Sequence, residues 1–222
     1  MQPPFAAAVR DQSSLLTRYE KPALEWVALR LPAWINPDHL TVAGFASMAL
    51  AGLSYAMAAG NPAWLLAVNL WLAANWLGDS LDGTLARVRN RQRPRYGFYV
   101  DHITDAFGTA LLLGGLALSG QMSPLVASGV LIVYFLISIE VYLATYTLGT
   151  FHLSFWKMGP TELRLLLAAG NAALLWRPVV NIAGGQFRLF DAGGAVALAA
   201  MAVVVIQNAV RHTATLYRAE RM

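Results

Sequence analysis

Four aspartates stand where two helices would set them face to face. The segment Asp79-x-x-Asp82-Gly83-x-x-Ala86-Arg87 is followed, after nine residues, by Gly97-x-x-x-Asp101-x-x-x-Asp105, and apolar runs flank both halves. Positions three and four apart share a helix face, so Asp79 and Asp82 point one way with Gly83 and Ala86, and Asp101 pairs with Asp105. The arginine-rich stretch 87–95 reads as a short turn, which predicts two antiparallel helices with their carboxylates across a narrow gap. A charged side chain in a membrane helix costs about 2.5–3.5 kcal/mol on insertion scales, so four acids require pairing, hydration or a cation. Hard oxygen donors suit magnesium, manganese or calcium. A plainer reading makes the acids helix caps or partners for Arg87, Arg89 and Arg91, but it does not call for matched pairs on neighbouring helices.

The elements that must carry these residues are apolar. Hydrophobic residues make up 57% of the chain and charged ones 13%, well below the quarter usual in soluble domains. An integral membrane protein follows. Apolar stretches at 40–59, 63–78, 106–119, 124–148, 163–176 and 192–210 predict six transmembrane helices, the second and third completed by the motif helices out to 86 and back to 97. The fold class is therefore all-α and membrane-embedded, a single domain over 1–222 with a six-helix core over 39–211. Gly60-Asn61-Pro62, Ser119-Gly120-Gln121 and Arg177-Pro178 supply breakers between the spans. Residues 13–31 mix Leu15, Leu16, Tyr19, Leu24, Trp26, Val27 and Leu31 with Arg18, Lys21 and Arg30, as an interfacial amphipathic helix does. Pro22 and Pro32 interrupt this segment and leave a plain linker open.

Basic residues set the orientation. Of the sixteen Lys and Arg, only Arg177 and Arg188 fall on the side opposite the motif turn, which predicts that both termini and the motif face the cytoplasm. The pI near 9.6 then reflects topology and anionic lipid rather than nucleic acid. Arg89, Arg91, Arg93 and Arg95 read either as a funnel for anionic substrate or as plain positive-inside retention. No secretory signal is expected, since Arg10 and Asp11 interrupt the first fifteen residues. Cysteine is absent, which excludes disulfides, thiolate catalysis and zinc-thiolate sites.

The eight positions Asp79, Asp82, Gly83, Ala86, Arg87, Gly97, Asp101 and Asp105 resemble the signature of the CDP-alcohol phosphotransferases, the class I phosphatidyltransferases, which move a substituted phosphate from a CDP-alcohol to an acceptor hydroxyl. Nine residues separate Arg87 from Gly97, where the usual family pattern has eight; the extra one is expected to lengthen the turn without rotating either helix. The resemblance implies that Asp79, Asp82, Asp101 and Asp105 hold one or two Mg2+ or Mn2+ ions, with Asp105 also the general base. It implies a nucleotide site at Thr41, Asp79, Gly83, Ala86, Arg87 and Gly97, where small residues admit the nucleotide and Arg87 reaches a phosphate or carboxylate. Pro37-Asp38-x-Leu40-Thr41 is similar to the family's Pro-Asn-x-x-Thr corner, and Asp38 reads equally as a helix N-cap. His102 lies about 100° around the helix from Asp101 and is not counted as a ligand.

A second polar group joins Glu140, Tyr142, Thr145 and Tyr146 to Lys157 and Gly159-Pro160-Thr161-Glu162-Leu163-Arg164. A buried acid in an apolar helix is functional by default, and Arg164 or Lys157 are its expected partners. Glu140, Lys157, Glu162 and Arg164 are therefore the candidate acceptor-binding residues, although Thr161 and Glu162 also fit ordinary helix N-terminal chemistry. Glu140 to Glu162 and Asp101-His102 are similar to the choline/ethanolamine branch, which pairs CDP-aminoalcohols with diacylglycerol, while the chain length matches bacterial enzymes that use CDP-diacylglycerol. The preferred reading is a bacterial inner-membrane transferase that passes a phosphatidyl group from CDP-diacylglycerol to a polar alcohol and releases CMP. The family also suggests a homodimer. A cation transporter is the expectation from another class, but it leaves Gly83, Ala86 and Arg87 without a role.

Overall fold

The computed structural model describes residues 9–11, 17–152 and 160–221. Among them are seven helices: α1 (Thr17–Arg30), α2 (Pro37–Met57), α3 (Trp64–Val88), α4 (Pro94–Leu118), α5 (Pro124–Leu148), α6 (Pro160–Leu174) and α7 (Leu189–Ala219). Two small sheets complete the described elements. Strands β1 (Val9–Asp11) and β2 (Thr150–His152) pair in parallel, and β3 (Val179–Ile182) and β4 (Gly185–Arg188) form an antiparallel hairpin. Ala183 and Gly184, at φ 50° and 83°, make its two-residue turn, in which both positions need the left-handed region.

Helices α2, α5 and α7 are long and apolar enough to cross a membrane. Helices α3 and α4 have 25 residues each but carry the acids of the motif, and α6 has 15. Large apolar side chains on α5 and α7 point outward, among them Leu125 at 84% exposed and Val196 at 71%, as suits surfaces facing lipid.

Helix α2 organises the rest. Asn36 caps it, accepting from His39 N at 3.1 Å, with Pro37 in the first turn. The cap is thus Asn36 and not Asp38, which pairs with Arg93 of the motif turn. Glycines then let α2 approach both motif helices at backbone distance. A Cβ on Gly78 of α3 would lie 2.8 Å from Leu40 O and 2.9 Å from Gly44 N, and one on Gly115 of α4 would lie 1.9 Å from Gly52 O. Such contacts between small residues are the usual device for close helix packing in membranes. The expected direct pairing of α3 with α4 is replaced by this arrangement, because both pack chiefly on α2.

The core between these helices is apolar with one polar seam. Tyr55, Leu65, Val68, Leu72, Leu112 and Leu116 pack with Leu174 of α6 and Phe190 of α7. Through them runs Asn171, fully buried, whose Oδ1 accepts from Tyr55 Oη at 2.8 Å while its Nδ2 donates to Asn69 Oδ1 at 2.8 Å. Removing the central amide strands two buried polar groups at about 1–3 kcal/mol each. Asn171→Ala is therefore expected to lower the melting temperature in detergent by several degrees, and an unchanged melt would show the seam to be energetically idle.

Helix α1 runs through Pro22 without ending there and is tied to the C-terminal end of α3. Leu24 and Ala28 pack on Leu81 and Leu85, while Trp26 and Leu29 remain exposed. That is the two-faced pattern expected of an interfacial helix. Arg89 clamps the linker behind α1, donating to Leu31 O at 2.8 Å, to Pro32 O at 3.0 Å and to Ile35 O. The positive charge of Arg89 is thus spent on backbone carbonyls, and the anionic funnel loses that member. On the far side, α5 and α7 close on each other: Asp191 accepts from Ser123 N at 2.6 Å, and Gly194 and Gly129 face Val126 and Leu198.

Candidate active site

Three carboxylates converge where the motif helices meet. One oxygen from each of Asp79 on α3 and Asp101 and Asp105 on α4 lies within 4.8 Å of the others. Two oxygens on one octahedral magnesium stand about 3 Å apart when adjacent and about 4 Å when opposite, at metal–oxygen distances of about 2.1 Å. The triad therefore needs little more than rotamer adjustment to close on a small divalent ion. Its donor set, three hard oxygens with no sulfur or imidazole, fits magnesium or manganese rather than zinc.

Asp82 lines the same pocket but stands outside the triad, accepting from Thr41 Oγ1 at 2.7 Å. That bond ties the start of α2 to the motif, so Thr41 reaches the site through Asp82. Gly44, Phe45, Met48, Asn75 and Thr104 complete the lining. The free space is ≈ 10 Å³, room for one water-sized guest.

Arg164 of α6 donates to Asp79 Oδ2 at 2.7 Å, the two side chains 16% and 25% exposed. This guanidinium balances one of the clustered charges. Of the two partners expected for Glu140, Arg164 is engaged with Asp79 and Lys157 is outside the described residues; Glu140 lies 2.5 Å from His212 Nδ1 across the contact between α5 and α7. Glu162 sits in the first turn of α6, two residues before Arg164. Lys157 and Gly159 lie outside the described residues.

The proposed nucleotide residues divide. Thr41 and Asp79 line the pocket, whereas Gly83, Ala86, Arg87 and Gly97 lie beyond it. A Cβ on Gly97 would meet nothing within 4 Å, and one on Gly83 only the tip of Arg87 at 3.5 Å. Open space thus adjoins both glycines. Arg87 donates to Thr84 Oγ1 at 3.0 Å and is exposed. The motif turn runs from Arg89 to Arg93, with Asn90 in the left-handed region at φ 53°. His102 is not among the three clustered acids, but its Nδ1 lies 3.7 Å from Asp101 Oδ2, and its ring stacks on Phe98 at 4.2 Å and meets Tyr142 edge-on at 5.0 Å.

A helical protein with three helices long and apolar enough to cross a membrane and an aspartate triad shared by two helices defines the class, and the comparisons with known proteins narrow it. The family described as CDP-alcohol phosphatidyltransferase matches residues 34–211, and the chain belongs to that family. It is accordingly a transferase of phosphate-containing groups, which leaves the transporter reading without support. No curated protein matches the chain.

Proposed function

We propose that this protein transfers a phosphatidyl group from CDP-diacylglycerol to the hydroxyl of a polar alcohol, releasing CMP. The observation that carries this reading is the convergence of Asp79, Asp101 and Asp105 from two helices in a chain of this family. Asp105 takes the proton as the acceptor oxygen bonds to phosphorus and the bond to CMP breaks. A Mg2+ or Mn2+ ion bound by the triad, with Asp82 beside it, would neutralise charge on the phosphoryl oxygens. Thr41, Gly83, Ala86, Arg87 and Gly97 line the path for the nucleotide, whose bulk requires the open space next to the glycines. Arg164 holds Asp79 in place and offers the nearest cation for an acceptor phosphate, with Glu162 and Lys157 on the same approach. Glu140 serves the contact between α5 and α7 instead.

In this reading six helices cross a bacterial inner membrane, α3, α4 and α6 completed by packing in the bundle, with both termini and the pocket cytoplasmic and the protein a homodimer. A second reading, transfer from a CDP-aminoalcohol to diacylglycerol, has one specific support. The rings of Phe98, His102 and Tyr142 gather next to Asp101, and aromatic faces beside a carboxylate suit an ammonium headgroup.

Purified protein supplied with CDP-diacylglycerol or CDP-choline, Mg2+ and a panel of acceptors tests both. CMP release from CDP-diacylglycerol, lost when EDTA is added, is the expected result. Release from CDP-choline with diacylglycerol alone would replace the first reading by the second, and metal-independent release would remove the triad's proposed role.

A further inference from the structure

Asn75 belongs to no part of the motif, yet it lies one helical turn before Asp79 on α3 and lines the same pocket. Its side chain is 4% exposed. The Nδ2 group donates to Gly44 O at 3.0 Å, which pins the amide against α2. The other end of the amide, Oδ1, is buried and has no hydrogen-bond partner. Buried amide oxygens are nearly always satisfied in folded proteins, so an orphan on a pocket wall points to the occupant of that pocket.

With its carboxylates ionised, the pocket wall offers no donor to satisfy it. Asp79, Asp82, Asp101 and Asp105 accept when ionised. The Thr41 hydroxyl is directed to Asp82, and that of Thr104 to the carbonyls of Val100 and Asp101 on its own helix. Among the described residues the other buried side-chain group without a partner is Trp76 Nε1, which belongs to a ring packed toward α1 and not to this pocket. A cation or its bound water is the complement that an amide oxygen among carboxylates requires.

We propose that Asn75 supplies a neutral oxygen ligand, direct or through one bound water, to the divalent cation of the aspartate pocket. The inference rests on reading the triad as a cation site. A neutral ligand is apt there, because three carboxylates already exceed the charge of one divalent ion, and hard cations take neutral oxygens, either amide carbonyls or retained waters, beside their carboxylates. Asn75 is thus a candidate ligand whose amide is held against α2 by its bond to Gly44 O.

The test measures Mn2+ binding to the purified full-length protein, from the electron paramagnetic resonance of free Mn2+, alongside the melting temperature in EDTA. Asn75→Leu keeps the volume and removes Oδ1; Asn75→Ser leaves space and polarity and carries the test if the leucine variant does not fold. Either variant is expected to bind Mn2+ about tenfold more weakly, the loss typical of a supporting ligand. Wild-type affinity in a folded variant, with only a lowered melt, would overturn the proposal and leave Asn75 a tie between α2 and α3. Absence of Mn2+ binding by the wild type would overturn the cation site as well, so the two failures are distinguishable.

Discussion

Asp105→Asn is expected to reduce CMP release by about 10³-fold or more, since a positioned base contributes about 10²–10⁴-fold and the same change also weakens the cation site. Two functions rest on this one side chain. Its carboxylate is a member of the triad with Asp79 and Asp101, and in the proposed reaction it takes the acceptor's proton. The amide has nearly the same size and shape, so α4 should pack as before and the melting temperature in EDTA should hold. Turnover within tenfold of wild type in a folded Asp105→Asn protein would remove the assigned base. A loss of turnover accompanied by a collapsed melt would show a structural role instead.

The second large effect lies far from the chemistry. Gly115→Ala places a Cβ 1.9 Å from Gly52 O and 2.5 Å from Gly52 C, both backbone atoms of α2. No rotamer relieves that contact, so α4 must move away from α2. Overpacking of side chains costs about 1–3 kcal/mol, and a backbone clash is expected to exceed that range. Because α4 carries Asp101 and Asp105, its displacement also pulls two of the three carboxylates away from Asp79. Both the melt and CMP release should fall. The neighbouring Gly114 supplies the control, since a Cβ there meets nothing within 4 Å and alanine favours a helix over glycine by about 0.5–1 kcal/mol. Equal behaviour of Gly114→Ala and Gly115→Ala would refute the bracketing role of α2.

Local spacing made the acids legible. Three- and four-residue intervals put Asp79 and Asp82 on one helix face and Asp101 and Asp105 on another, but the approach of Asp79 to Asp101 and Asp105 also depends on α2, on which both motif helices pack.

What sequence could not carry were partnerships between distant elements. Nothing near Gly44 or Gly52 says that α2 touches α3 at the first and α4 at the second, since a glycine in an apolar run looks the same whether it faces lipid or backbone. Arg164 and Glu140 are both conspicuous in an apolar sequence and invited pairing with each other, but α6 docks on α3 and α5 docks on α7, so each acid and base finds a different partner. Asn75 escaped notice because an amide carries no charge to advertise it, although its position four residues before Asp79 was a usable signal. The hairpin at 179–188 was also readable, from Val179-Val180-Asn181-Ile182 before Ala183-Gly184-Gly185.

The most direct measurement is Mn2+ binding to the purified wild-type protein and to Asp79→Asn and Asp101→Asn, each with and without CDP-diacylglycerol. Binding by the wild type that tightens when the nucleotide lipid is added, and that either substitution abolishes, is the predicted result. Equal Mn2+ uptake by all three proteins, or tight capture of the nucleotide lipid with no ion present, would contradict it.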